Sequence, residues 1–293
     1  SDTLVSALAD FYHVGKDQVF VGVGSDDVLS MCFLTFFNSE KPVFFPDITY
    51  SFYKVWADLY RIPYECKKVD ENFHIIKEDY YPENGGVIFP NPNAPTSIYE
   101  DLEFVEDIIR HNQDVIVIVD EAYIDFAGES ALSLLDKYDN LIITQTFSKA
   151  RSMAGMRIGY AIASPLLIKY LNDAKYSFNS YTMNKTSLVY GAEAVKDKEY
   201  FAETTRKIVE TRDWAEEEFK KLGFVFPKPS ANFIFVSHPE YDAKELFEAM
   251  KAKGIYVRFW GSERIEQYLR VTIGTREEME ALFAFLREYM MKC

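Results

Sequence analysis

Cysteine, histidine and positive charge are all scarce in this chain. Its three cysteines, Cys32, Cys66 and Cys293, are odd in number and far apart. That pattern carries neither a disulfide framework nor a zinc-ligand spacing, and it fits a reducing, cytoplasmic compartment. The four histidines, His13, His74, His111 and His238, are scattered, again with no metal-ligand spacing. Lys and Arg number 32 against 46 Asp and Glu, for a net charge of −14. Nucleic acid is bound through clustered Lys and Arg, so that partner class is disfavoured, as is docking to anionic membranes. No apolar run approaches the roughly 20 residues that cross a bilayer, and the first residues do not read as a signal peptide.

Apolar residues are plentiful instead. They make up 48% of the 293 residues, with 16% aromatic, enough for one large domain and a smaller one. Short apolar strands are expected at 19–23, 43–46, 62–69, 87–89, 115–119, 141–146 and 157–163. Helices are expected at 1–14 (closed by Gly15), 28–37, 51–60, 102–111, 131–137, 165–174 and 184–195. This alternation predicts an α/β fold with a mostly parallel central sheet covered by helices. A long charged helix over 198–222, ended by Gly223, bridges to a smaller α+β part. That part has strands at 233–236, 255–257 and 268–273 and helices at 242–252 and 276–290. The expected division is a large domain over 1–200 and a small C-terminal domain over 201–293.

Three predicted strand ends carry polar residues of an uncommon kind. Thr146-Phe147-Ser148-Lys149 follows the apolar run at 141–145. A lysine there cannot pack as a core residue, and an unpaired buried ammonium is costly. Desolvated, it would be a nucleophilic amine suited to a Schiff base with an aldehyde. Thr146, Ser148 and Arg157 form a candidate phosphate cradle of two hydroxyls and a forked guanidinium. An aldehyde that bears a phosphate points to pyridoxal phosphate. Asp120 ends the apolar run 115–119, where ligands bind in open α/β sheets. Its carboxylate suits a protonated pyridine nitrogen, and Tyr123 is placed to reach the ring's phenolic oxygen. The third strand runs into Pro90-Asn91-Pro92-Asn93-Ala94-Pro95-Thr96, a proline-locked loop in which Asn93 offers an amide donor.

Two further stretches join them. Gly22-Val23-Gly24-Ser25-Asp26 opens a helix. Gly24 allows close approach, and the backbone N–H groups of Ser25 and Asp26 are candidate phosphate donors. Tyr50, after the strand at 43–46, is the candidate for lying flat on the pyridine ring. Each residue also has an ordinary use: a solvated loop lysine, a helix cap at Asp120 or Ser25, an Asn-Pro turn, a core tyrosine.

Taken together and in this order, Asn-Pro-Asn-Ala-Pro-Thr, Asp-Glu-Ala-Tyr, Thr-Phe-Ser-Lys-Ala and Met-Ala-Gly-Met-Arg-Ile-Gly-Tyr resemble the fold-type I pyridoxal-phosphate aminotransferases, most closely the histidinol-phosphate aminotransferases. The resemblance runs over nearly the whole chain. It implies that Lys149 holds the cofactor and then moves a proton as base and acid. It implies that Asp120 keeps the ring nitrogen protonated while Asn93 and Tyr123 tune the ring oxygen. The implied reaction converts histidinol phosphate and 2-oxoglutarate to imidazole-acetol phosphate and glutamate, in histidine biosynthesis. An aromatic amino-acid aminotransferase and a phosphothreonine decarboxylase on the same scaffold are the alternatives. Arg270 resembles the family's anchor for the substrate's acidic group, with Arg258 its companion; an arginine in an apolar strand needs an anionic partner in any case. The family's active sites lie at a two-fold interface, which implies a homodimer. Two features depart from the pattern. Ser97 stands where glycine is common, and the family's N-terminal arm, with its Asn-Pro-Tyr-Gly-like motif, does not appear ahead of the first helix. That arm helps close the substrate pocket in the family, so a chain that folds without turning over is a further expectation.

Overall fold

Strands buried on both faces read as unbroken apolar runs, and such runs build the centre of this protein. The computed structural model describes residues 2–292. Ser1 and Cys293 lie outside the described residues. The chain begins with α1 (Asp2–Tyr12), β1 (Val19–Gly22), α2 (Ser25–Phe36), β2 (Val43–Pro46), α3 (Phe52–Tyr60) and β3 (Tyr64–Lys67). It continues through β4 (Gly86–Pro90), α4 (Leu102–His111), β5 (Val117–Asp120), β6 (Leu141–Thr146) and β7 (Gly159–Ala163). Then come α5 (Pro165–Phe178), α6 (Lys185–Lys196), α7 (Lys198–Lys221), β8 (Phe233–Val236), α8 (Ala243–Ala252), β9 (Arg258–Phe259), β10 (Leu269–Thr272) and α9 (Arg276–Lys292).

β1 to β7 form one sheet in the order β1-β7-β6-β5-β4-β2-β3. Pairing is parallel from β6 through β5, β4, β2 and β3, and β7 runs antiparallel to both of its neighbours. Successive side chains point to opposite faces. Val117, Val119, Leu141 and Ile143 pack on one side, and Ile118 and Ile142 pack on the other. All six are fully buried, which the helices on both faces make possible. The expected mostly parallel, doubly covered α/β sheet is the one found.

β8, β10 and β9 make a second, antiparallel sheet. Leu269 and Val271 of β10 turn into a core shared with α7, α8 and α9, so Arg270, between them, turns to the opposite face. Arg212 of α7 binds the two parts of the chain together. Its buried Nη1 donates to the carbonyls of Phe126 and Ala231, 3.0 Å each. Gly223, at φ +83, ends α7, and the Phe224 N–H closes back onto Phe219 O.

Some boundaries differ from expectation. α1 is closed by His13, at φ 58, while Gly15 is extended. The strand expected at 255–257 lies at Arg258–Phe259, and the helix expected over 131–137 is a single 3-10 turn, Ala131–Leu134. The strand expected from Arg157 begins at Gly159, because Arg157 adopts a left-handed backbone at φ 50. The reason for a glycine at 159 is steric. A Cβ there would lie 2.2 Å from the Gly24 carbonyl carbon and 2.2 Å from the Ser25 nitrogen, both backbone. β7 thus seats the start of α2.

Glu121 follows β5 and is buried with no cation against it. Its carboxylate accepts from Ser130 Oγ at 2.6 Å, Ala131 N at 2.7 Å and Gln145 Nε2 at 2.8 Å. Gln145 in turn accepts from the Tyr12 and Tyr160 hydroxyls, both at 2.7 Å, so α1 is tied to the sheet through this chain. Burial pushes the Glu121 carboxyl up to about 7 from 4.5, against those three donors. The folded state therefore binds this proton more tightly than the unfolded state, and stability falls as pH rises from 4.5 to about 7.

Two outcomes follow from these contacts. Glu121→Gln should flatten the decline in melting temperature between pH 4.5 and 7; a decline as steep as that of the wild type would contradict the assignment. Gly159→Ala should cost about 1–3 kcal/mol in denaturant unfolding, as overpacking against backbone does; an unchanged midpoint would show that the α2 start yields freely.

Candidate active site

The carboxyl ends of β5 and β6, the loop after β4 and the first turn of α2 surround a cavity of about 310 Å³. Lys149 and Asp120 both line it, so the amine and the carboxylate singled out from the sequence share one space. They do so because β5 and β6 are adjacent and parallel, with Asp120 paired in register to Thr144. Lys149 is half-buried, and its Nζ lies over the Tyr123 ring, 5.0 Å from the centroid.

Asp120 is 4% exposed. Its Oδ2 accepts from the Tyr53 hydroxyl at 2.8 Å, and its Oδ1 accepts from the Thr144 hydroxyl at 3.3 Å. Burial pushes its carboxyl up to about 6; the hydrogen bonds of Tyr53, Thr144 and the Ala122 N–H oppose that rise. Among the described residues no Lys, Arg or His forms an ion pair with it. The carboxylate is thus held by neutral donors alone at the edge of the cavity, a setting that favours a cationic ligand.

Anion-binding groups gather on another wall. Ser25 and Asp26, the first residues of α2, line the cavity together with Thr146, Ser148 and Arg157. The opening N–H groups of a helix have no partner within it and attract anions. Gly24, at φ +87, lies just behind them. It does not line the cavity itself, but a Cβ on it would meet Arg157 Nη2 at 2.5 Å, so glycine is what lets the guanidinium reach this wall. Asp26 steadies it, with Oδ2 3.5 Å from Arg157 Nη2 and Oδ1 accepting from the Tyr50 hydroxyl at 2.7 Å. Thr146 Oγ1 donates to Ile158 O at 3.3 Å and accepts from Ser148 N at 3.1 Å, which shapes the turn leading to Lys149.

Tyr50 and Tyr123 both line the cavity. Tyr50 stacks on Phe52 (centroids 5.7 Å apart, 20° between planes), and Tyr123 meets Phe233 edge-on at 5.1 Å. Asn93 departs from expectation. Its Nδ2 already donates to Ile48 O at 2.9 Å and Thr96 Oγ1 at 3.1 Å, and its Oδ1 accepts from Thr49 Oγ1 at 3.2 Å. With both amide protons spent on the protein, Asn93 builds the loop, and its neighbour Ala94 lines the cavity in its place. Ser97, also left-handed at φ 66, anchors the far side of the same loop. Its hydroxyl accepts from the Ser230 and Ala231 N–H groups at 2.9 and 2.8 Å, bonds that a glycine side chain could not make.

Arg270 lines the cavity from the second sheet. Its guanidinium lies 4.9 Å from the Phe233 ring centroid and 5.5 Å from that of Trp260, and its Nε is buried without a partner. Arg258 is paired with it across β9 and β10 and also lies 5.5 Å from Trp260. Burial works against the Arg270 proton, Tyr123 favours it, and the Arg258 charge opposes it. Arg258 is exposed and does not line the cavity. Among the described residues, neither guanidinium forms an ion pair with a carboxylate.

Tyr53 and Thr144 escaped the sequence reading, although a signal for each was present. Tyr53 stands three residues after Tyr50, and Thr144 two before Thr146, the spacings that put each pair on one face of a helix or strand.

The comparisons with known proteins place the chain in a family. The family model described as "Aminotransferase class I and II" matches residues 1–286. A histidinol-phosphate aminotransferase of Lactococcus lactis subsp. lactis (strain IL1403) is 47% identical over 290 residues, which is 99% of this chain and 81% of that one. Among solved structures, the histidinol-phosphate aminotransferase from Clostridium acetobutylicum superposes with a TM-score of 0.90 at 21% identity, covering 100% of this chain and 89% of that one. The histidinol-phosphate aminotransferase from Sinorhizobium meliloti, solved in complex with pyridoxal-5'-phosphate, gives 0.86 at 23% identity, covering 98% and 82%. At those identities the two structures speak for the fold, and the family match carries the assignment. The chain belongs to the class I and II aminotransferase family.

Proposed function

We propose that this chain is a histidinol-phosphate aminotransferase that uses pyridoxal phosphate. One observation carries the cofactor reading: a single cavity holds Lys149, a buried carboxylate without a cation at Asp120, and a helix start with Arg157 beside it. An amine, an acceptor for a ring N–H and a phosphate cradle are the donor set that this cofactor requires. The substrate reading draws on the Lactococcus lactis relative, 47% identical and named a histidinol-phosphate aminotransferase.

When bound, pyridoxal phosphate supplies an aldehyde and a ring that withdraws electrons from the substrate carbon bearing the amine. The chain does the rest. Ser25, Asp26, Thr146, Ser148 and Arg157 would hold the phosphate, with Gly24 giving room. Asp120 would accept the ring N–H, and Tyr123 and Tyr50 would serve the ring oxygen and the ring face. Lys149 Nζ would hold the cofactor at rest and, once free, would serve as the base and acid that moves the proton from the amine-bearing carbon. Arg270, with Arg258 behind it, receives the anionic end of the substrate. The buried, unpartnered Nε of Arg270 supports that role.

Two features of the assembly belong to the same proposal. The chain divides into a large domain over 1–200 and a small one over 201–293, with α7 joining the seven-stranded and three-stranded sheets. It works as a homodimer, for which the exposed apolar row Phe52, Val55 and Leu59 along α3 offers a contact surface. Among the described residues no helix is long and apolar enough to cross a membrane.

Lys149→Ala should lower transamination at least about 10³-fold and abolish the borohydride-reducible yellow colour acquired with the cofactor; a variant that kept both would refute the role of Lys149. Arg270→Ala should lower kcat/KM for histidinol phosphate on the order of 10²-fold, the usual loss for an unpaired buried charge contact, with cofactor affinity unchanged. Equal kinetics would remove Arg270 from the substrate site. Carbon dioxide release in place of a glutamate-linked keto product would contradict the reaction class.

A further inference from the structure

Among the described residues, Asp120 takes its hydrogen bonds from neutral donors only, and two of these come from outside the cavity lining. Tyr53 rises from the first turn of α3, fully buried. Its ring is packed against Phe33, Phe45 and Trp56, with centroids 6.3, 5.9 and 6.3 Å away, so the phenol has little freedom to turn. From that fixed ring the hydroxyl donates to Asp120 Oδ2 at 2.8 Å. Thr144 donates to Oδ1 from the neighbouring strand. Among the described residues, the Ala122 N–H, the Asp26 carboxylate, the Tyr50 phenol and the buried Cys32 thiol also act on the carboxylate, and none of these is a cation. Tyr53 also meets Tyr50 edge-on at 5.8 Å, so one buried ring braces both the carboxylate and an aromatic wall of the cavity.

We propose that Tyr53 and Thr144 are positioning residues: each fixes one oxygen of Asp120, keeping the carboxylate ionised and aimed to accept an N–H from a protonated ring nitrogen. This rests on the cofactor reading above. The energetic reasoning is simple. A buried carboxylate without a cation depends on every donor that it has, and a hydrogen bond to a charged group is worth more than one between neutral groups. Losing the Tyr53 hydroxyl removes one of the few donors to Asp120, so the carboxylate retains a proton more readily and pairs less well with a cationic ring.

The test compares two probes, pyridoxal phosphate and its 1-deaza analogue, in which carbon replaces the ring nitrogen. Affinities are read from the absorbance change on binding to the purified chain. Tyr53→Phe should weaken pyridoxal phosphate about tenfold and the deaza analogue less than about twofold. Thr144→Val should do the same to a smaller degree. In an Asp120→Asn background, Tyr53→Phe should add nothing. A merely structural tyrosine would weaken both probes alike, and that result overturns the proposal, as does an unchanged preference between them. If Tyr53→Phe does not fold, Thr144→Val decides by the same ratio. A wild-type chain that fails to bind pyridoxal phosphate, or that binds both probes equally, would instead overturn the cofactor reading on which this rests.

Discussion

A carboxylate carried into the protein interior with no cation beside it is the constraint that organises the rest. Asp120 sits at the end of a strand buried on both faces, and burial pushes its carboxyl up. Three neutral donors bring it part of the way back. What would complete it is a cation supplied from the cavity. That unmet demand makes the site specific, since a neutral ligand would leave it unanswered.

The fold brings the other groups to this point with few devices. Adjacent parallel strands bring Asp120 and the Thr146–Lys149 turn to one end of the sheet, because β5 and β6 are in register and β6 runs two residues beyond the Asp120–Thr144 pair. The antiparallel strand β7 begins at a glycine that lets the first turn of α2 come close, so a helix start faces the same cavity. The proline-locked loop after β4 closes one side. Its Asn93 and Ser97 are spent inside the protein, on Ile48, Thr96 and the segment at 230–231. The second sheet contributes one residue through the period of two: Leu269 and Val271 face their own core, so Arg270 faces the cavity.

Much of this was legible in the sequence, for a physical reason. Runs such as 115–119 and 141–145 have no use outside a doubly covered sheet, and polar residues at their carboxyl ends fall where such sheets bind ligands. Asp120 and Lys149 were singled out on that ground, and the Gly24–Asp26 turn on the ground of a glycine before a helix start. What did not follow was anything decided by a distant partner. Asn93 seemed a free amide because the groups that occupy it include Ile48 O and Thr49 Oγ1, more than 40 residues earlier. Tyr53 drew no reading at all, because its acceptor is 67 residues away. The strand expected at 255–257 moved to Arg258–Phe259 because pairing with Leu269 and Arg270 fixes the register, which an apolar run cannot do by itself.

The most direct measurement of the central claim is the nitrogen-15 chemical shift of ring-labelled pyridoxal phosphate bound to the chain at neutral pH. The account predicts the shift of a protonated pyridine in the wild type and of an unprotonated one in Asp120→Asn. An unprotonated shift in the wild type, or one that Asp120→Asn does not move, would contradict it.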